Sequence, residues 1–171
     1  MTPFALLARN NAWANARLLD ACDGLAPGEW EAPRTGFFPS LRATMEHIHA
    51  VDRYYIDAAT GGGLGPSAFR ETPHFSSAAA MRPMQEALDR RLIAFCDGLE
   101  GMDTGCEVVT DRGERGRHQE RLDRLLLHLF QHQIYHLGQA HAMLSGTSVA
   151  PPQLDEFFLD YDRHPGAEAF P

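Results

Sequence analysis

The sequence lacks most of the features that mark a specialised class of protein. Its 171 residues contain no run of about 18 apolar residues, the length that a transmembrane helix needs, and no run rich in lysine and arginine. A net charge of −8 makes the chain a poor partner for a nucleic-acid backbone. The first residues lack a charged segment followed by an apolar one, so we expect no secretory signal. We predict a cytoplasmic protein that binds neither membranes nor nucleic acids.

Cysteine is also scarce. The three cysteines, Cys22, Cys96 and Cys106, are widely spaced, odd in number and never arranged as Cys-x-x-Cys. This pattern fits reduced intracellular thiols rather than a disulfide framework, and it gives no zinc-finger signal. The hydrophobic content of 44% is typical of a globular protein, and no internal repeat divides the sequence. We predict a single domain over residues 1–171.

Several familiar catalytic motifs are absent as well. Gly61-Gly62-Gly63 is not followed by the Lys-Ser/Thr of a phosphate-binding loop, and no Gly-x-Ser-x-Gly elbow occurs. His128-Leu-Phe-Gln-His132 has the spacing of the zinc-protease motif His-Glu-x-x-His, but leucine replaces the glutamate that acts as general base. A di-iron bundle needs two Glu-x-x-His units, and only the segment from Glu46 to His49 offers one.

The segment from Leu122 to Leu144 carries the strongest pattern in the sequence. Apolar residues recur there at helical spacing, which predicts an amphipathic α-helix. His128, His132 and His136 repeat every four residues on this helix. Each such step drifts by only about 40° round the axis, so the imidazoles form a stripe that continues the apolar face. Buried imidazoles need partners, and one metal ion can satisfy two histidines spaced i and i+4.

Spacing alone leaves the choice of ligands open. His128 and His136 lie about 12 Å apart along the helix axis, so the ligand pair is either His128/His132 or His132/His136. On another predicted helix, His47 and His49 lie about 200° apart and cannot both face the same ion. Two histidines from one helix and one from another would leave coordination positions open, as in catalytic rather than structural metal sites.

Three further amphipathic helices are predicted. The first begins with Thr2 as its N-cap and ends before Gly24, and the second covers about 41–60 after a Ser40 cap. The third runs from about Ser77 to Leu99. Its predicted inward-facing residues are Met81, Met84, Leu88, Leu92 and Phe95. Four long helices in one domain predict an all-α fold, a four-helix bundle.

Shorter elements are predicted between and after these helices. Glycine and proline mark long loops over residues 24–39 and 61–75. The segment 107–113, with Glu-Val-Val-Thr followed by Asp-Arg-Gly, predicts a small β-hairpin before the last long helix. Pro151-Pro152 ends that helical region, and residues 154–162 are predicted to form a short C-terminal helix.

Four stretches resemble one known family. The segment His132–Gln139, HQIYHLGQ, resembles the His-x-x-x-His-Arg-Gly-Gln signature of the DinB/YfiT-like superfamily of metalloenzymes. MEHIHAVDRYYI resembles the family's His-x-x-x-x-Asp stretch and matches His47 with Asp52. The opening NAWANARLLD and the closing PPQLDEFF also resemble family members, so the likeness covers most of the chain.

The resemblance implies a DinB-like four-helix bundle that holds a divalent metal ion with three histidines. Carried over residue by residue, the metal ligands are His47, His132 and His136, and His128 falls outside the ligand set. Leu137 departs from the family pattern, which often has arginine there. The resemblance also implies a homodimer, for which aromatic residues near the ends, such as Trp13, add only weak support.

The implied function is a metal-dependent enzyme of the thiol-dependent transferase or hydrolase type, acting on a small-molecule substrate. Zinc or nickel is the expected metal, iron and manganese are compatible with histidine ligands, and a low-molecular-weight thiol is a candidate cofactor. The alternative is a non-enzymatic metal-binding or stress-response protein whose ion is structural. Asp52, Tyr135 and Gln139 are candidate neighbours of the ligands, although a packing or surface role is favoured for Asp52. No catalytic residue is assigned.

Overall fold

Four long helices form the body of the protein, together with a small hairpin. The computed structural model describes residues 1–159. Its helices are α1 (Pro3–Asp23), α2 (Leu41–Ala59), α3 (Ser67–Arg70), α4 (Ala78–Asp97) and α5 (Leu122–Leu144), and its strands are β1 (Glu107–Asp111) and β2 (Arg117–Arg121). The predicted all-α bundle is confirmed. Among the described helices, none is both long and apolar enough to cross a membrane.

Side-chain caps explain where the first three long helices begin. Thr2, Ser40 and Ser77 each accept a hydrogen bond from the backbone N–H three residues further on, at 3.1 to 3.2 Å. Each cap satisfies one of the backbone donors that a helix leaves free at its start. Pro3 occupies the first turn of α1, where its missing N–H costs nothing. The predicted starts of these helices are therefore confirmed to within a residue.

Three local predictions differ from the structure. The loop over 61–75 contains the short helix α3. Residues 154–159 form a bend and a turn rather than a helix, and the rest of the predicted C-terminal helix, 160–162, lies outside the described residues. Met84 is 42% exposed, whereas Gln85 is fully buried. The inward position after Met81 therefore belongs to Gln85, which is four residues on and nearer to the same face of the helix.

The predicted hairpin is confirmed. Strands β1 and β2 pair antiparallel, with Glu107 opposite Arg121, and β2 leads directly into α5. The hydroxyl of Tyr54 on α2 donates a hydrogen bond of 2.8 Å to the carbonyl of Asp111, which ties the hairpin to the bundle. Cys106 lies just before β1 and is free, as the other two cysteines are.

The interior of the bundle consists of two apolar clusters with a polar layer between them. One cluster joins the start of α1 and of α5 to the later parts of α2 and α4, and the other fills the opposite end. Seven polar side chains lie between these clusters, each at most 6% exposed. This polar layer consists of Asn11, Asn15, His49, Asp52, Gln85, Asp89 and Gln133. A layer of this kind is costly unless its members bond to one another.

Candidate metal centre

Helices α2 and α5 bring three histidines together. His47 comes from α2, and His132 and His136 come from successive turns of α5. The two helices run antiparallel, since Tyr55 contacts His128 while His47, eight residues earlier on α2, contacts the later pair. The predicted triad is therefore a real cluster: each of its histidines offers a ligand atom, and these atoms all lie within 4.8 Å of one another.

The spacing within this cluster suits a metal ion. The Nε2 atoms of His47 and His132 are 3.1 Å apart. Two nitrogen ligands that each bind an ion at about 2.1 Å lie roughly 3.0–3.4 Å apart for bond angles between 90° and 109°. The ring centroids of His132 and His136 are 4.3 Å apart. Three imidazoles packed this closely need a shared partner, and the donor set fits a divalent ion.

The three imidazoles are held in the neutral form that a metal ligand requires. Burial, together with the neighbouring imidazoles of His136 and His132, lowers the pKa of His47 to about 4. Burial, followed by the proximity of His136, likewise lowers the pKa of His132 to about 4. The pKa of His136 is lowered too, mainly by burial. At neutral pH the cluster therefore presents lone pairs rather than positive charges.

Two glutamine side chains orient the rings on α5. Nδ1 of His136 lies 3.0 Å from Oε1 of Gln139, and Nδ1 of His132 lies 3.4 Å from Oε1 of Gln133. An amide oxygen only accepts hydrogen bonds, so these contacts place the imidazole proton on Nδ1 in both rings. The lone pair of each Nε2 is then free for an ion, which is the arrangement that metal-ligating histidines adopt.

Aromatic side chains surround the cluster on its solvent side. The ring of Phe38 lies 4.4 Å from that of His47, and Phe37 packs edge-on against Phe38 while remaining 74% exposed. The ring of Tyr135 lies 5.1 Å from that of His136 and is 61% exposed. Because His47 and His132 are only half-buried, the cluster faces an accessible surface with an apolar rim.

His128 lies outside the cluster, although it shares the stripe. Burial increases along the stripe, from an exposed His128 through a half-buried His132 to His136, which is 5% exposed. The drift of about 40° per step accounts for this gradient. The expectation that the whole stripe faces the core was therefore wrong for His128. Its ring contacts Tyr55 at 5.4 Å and borders a surface cavity of about 220 Å³.

His49 and His141 also point away from the cluster. His49 is buried on the other side of α2, where its Nδ1 lies 2.9 Å from Oε1 of Gln85. His141 borders a different cavity, between α1, α5 and the segment after α5. The structure thus brings together the three histidines that the family resemblance selected, and it separates them from the other candidates.

Sequence reasoning missed the polar residues behind the cluster. Asp52, for which a packing or surface role was favoured, is fully buried in the interior. It contacts Gln85 and Gln133, neither of which was singled out. A signal was present, because both glutamines occupy inward positions of the apolar series. Gln133 lies four residues after Leu129, and Gln85 lies three residues before Leu88.

Comparison with known proteins finds one family model and a curated relative that each cover most of the chain. The family model described as "DinB family" matches residues 1–165. The chain is 24% identical over 159 residues to "Protein DinB" of Bacillus subtilis (strain 168), a match that covers 88% of this chain and 91% of that relative. No solved structure matches significantly. Because the family model spans nearly the whole sequence, the chain belongs to the DinB family.

Proposed function

We propose that this DinB-family protein is a metal-dependent enzyme whose ion is held by His47, His132 and His136. The observation that carries the proposal is the convergence of three neutral imidazoles from two helices. Three ligands leave at least one coordination position for an exogenous group, which is the hallmark of catalytic metal sites. The half-buried position of His47 and His132 supports access from solvent. It argues against the alternative, a closed structural ion.

A bound divalent ion would supply Lewis-acid activation of an oxygen or sulfur ligand at its open position. Zinc or nickel suits the histidine donor set best, and iron and manganese are compatible with it. The protein's own contribution is to hold the three Nε2 atoms in register and to keep their rings unprotonated. The exposed rings of Phe37 and Tyr135 offer contact surface for the apolar part of a small-molecule substrate.

Within this class, thiol-dependent group transfer is favoured over hydrolysis. A hydrolase of this type uses a general base close to the attacking water. In the part of the chain that the structure describes, the metal-ligating group consists of histidines alone. The buried carboxylate of Asp52 is bonded to two glutamines, and one of them, Gln133, links it to His132. A low-molecular-weight thiol would bring its own nucleophile and would need no such base once its pKa is lowered.

Ligand access to cobalt-substituted protein tests this proposal. We expect azide and 2-mercaptoethanol each to change the visible spectrum of the cobalt protein, because both can occupy an open coordination position. The His136→Ala variant, loaded in the same way, is the matched control and should lack the wild-type spectrum. A wild-type spectrum that neither probe perturbs would show a closed site and favour a structural ion. Activity screens with and without millimolar thiol then separate transferase from hydrolase chemistry.

A further inference from the structure

Asp52 lies at the centre of the polar layer and binds two glutamine amides. Its Oδ1 accepts a hydrogen bond of 2.6 Å from Nε2 of Gln133, and its Oδ2 accepts one of 2.7 Å from Nε2 of Gln85. The side chain is fully buried, and this burial raises the pKa of Asp52 to about 6. The group is therefore mostly ionised at neutral pH, and each of its oxygens already faces an amide donor.

The carboxylate dictates which way each amide points. An ionised carboxylate only accepts hydrogen bonds, so each glutamine must turn its NH2 group towards Asp52 and its oxygen away. The oxygen of Gln85 then faces Nδ1 of His49 at 2.9 Å, and the oxygen of Gln133 faces Nδ1 of His132 at 3.4 Å. The carbonyl of Ile48 accepts the second N–H of Gln133 at 3.0 Å, which supports the same orientation.

From this geometry we infer that Gln133, oriented by Asp52, is a positioning residue that fixes His132 in the Nδ1–H tautomer and so directs its Nε2 lone pair at the metal. The inference rests on the proposed metal site and adds to it a pair of buried residues in the bundle interior that orient one of its ligands. A glutamine turned the other way would present its NH2 to Nδ1 and would favour the Nε2–H tautomer. In that tautomer the ligand atom carries a proton, so His132 could not bind the ion through Nε2.

The polar layer also admits a purely structural explanation. Buried polar residues can specify the register of a helix bundle without any connection to a ligand. Asp89 provides the contrast within the same layer. Its Oδ1 accepts hydrogen bonds from Asn15 at 2.9 Å and from Gln85 at 3.1 Å, but among the described residues it forms no hydrogen bond with Gln133. A structural role would make Asp52 and Asp89 equivalent, whereas a role in positioning His132 singles out Asp52.

Nitrogen-15 NMR of the imidazole rings reads the tautomer directly, in metal-free protein. We expect His132 to be the Nδ1–H tautomer in the wild type and in Asp89→Asn. Gln133→Met, which keeps the length of the side chain but removes the acceptor, should lose this preference. Asp52→Asn leaves one acceptor oxygen for two amides, so one glutamine must turn and a mixture of tautomers at His132 is expected.

Chelator competition then measures the effect on metal affinity. We expect Gln133→Met to weaken binding by about 10–100-fold, the range found when an outer partner of a ligand is removed. Asp52→Asn should weaken binding in the wild-type background but should add nothing in the Gln133→Met background, because it acts through Gln133. Asp89→Asn should bind metal like the wild type. A thermal melt of each variant establishes that it is folded, and if Asp52→Asn does not fold, Gln133→Met alone decides the matter.

Two results would overturn the inference. One is a folded Gln133→Met variant with the wild-type tautomer at His132 and undiminished metal affinity. The other is an equal loss of affinity on Asp52→Asn with and without Gln133, which would show that Asp52 acts by another route. The tautomer is measured without metal, so it stands apart from the proposed function. A wild type that shows the Nδ1–H tautomer yet binds no metal would refute the metal site and leave the role of Gln133 intact.

Discussion

Ionisation of Asp89 should make the metal-free protein less stable as the pH rises. Burial and the nearby negative charge of Asp52 raise the pKa of Asp89 to about 8 in the folded protein. In the unfolded chain the same carboxyl titrates near 3.9, as an exposed aspartate does. At pH values between these two pKa values, the folded state therefore keeps a proton that the unfolded state has released.

The sign follows from proton linkage. Where the folded state binds the extra proton, stability falls as pH rises, by at most about 1.4 kcal/mol per pH unit for one group. The stability that this proton provides is fully present below pH 4 and is lost as pH rises towards the folded pKa of about 8. The metal-site histidines have the opposite effect, since their lowered pKa values make stability rise with pH up to roughly their unfolded pKa of about 6.5.

Replacement by asparagine isolates the contribution of Asp89. Asparagine keeps the Oδ1 that accepts from Asn15 and Gln85 but cannot ionise. Between pH 6.5 and 8.5 the free energy of unfolding of the wild type should fall by about 2 kcal/mol relative to that of Asp89→Asn, because contributions common to both proteins cancel. Urea unfolding of both proteins in the presence of a chelator, at pH steps across this window, measures the difference. Parallel pH profiles would refute the assignment of a retained proton to Asp89.

Two further predictions concern His128 and the assembly. His128→Ala should keep near-stoichiometric metal and should lose at most a moderate part of its metal affinity in a chelator titration, whereas His132→Ala should lose tight binding. An equal loss of metal affinity in both variants would mean that these two histidines hold the ion. We also propose a homodimer, which family likeness suggests. Trp13 is buried within its own chain, so the exposed Leu127 and Ile134 of α5 are better candidates for the contact. Sedimentation showing only a 19.0 kDa species at micromolar concentration would contradict the dimer.

The starts of the long helices could be predicted because their determinants are local. Thr2 and Ser40 cap helices through backbone groups three residues away, so the signal lies within one short stretch of sequence. The ends were less well defined. The predicted third helix ended at Leu99, whereas α4 ends at Asp97. A single residue, Gly98, marks this end in the sequence, and one such signal does not fix the last residue of a helix.

Only part of the metal cluster could be predicted from helical spacing. Helical geometry showed that His132 pairs with a histidine one turn away, but it could not choose between His128 and His136. That choice depends on how α5 is rotated against α2, which is a property of tertiary packing. The family resemblance supplied the missing information, and the structure agrees with it by placing His136, and not His128, beside His47.

The polar layer was the feature that was hardest to predict from the sequence. Its residues are scattered over four helices, and each one alone resembles an ordinary surface side chain. Asn15 on α1, for example, is buried and donates to Asp89 on α4. The network becomes visible only once the helices are packed, because its hydrogen bonds join residues on different helices or one turn apart. Polar residues at inward positions of an otherwise apolar series, such as Gln133, are the signal that could have revealed it.

Metal content is the measurement that tests the central claim most directly. Protein purified without an affinity tag, loaded with excess divalent metal and then freed of loosely bound ions, would be subjected to elemental analysis. We predict stoichiometric metal in the wild type and in the controls His49→Ala and His141→Ala, and loss of most metal in His136→Ala. Wild-type stoichiometry in His136→Ala, or no retained metal in the wild type, would contradict a site built from this histidine cluster.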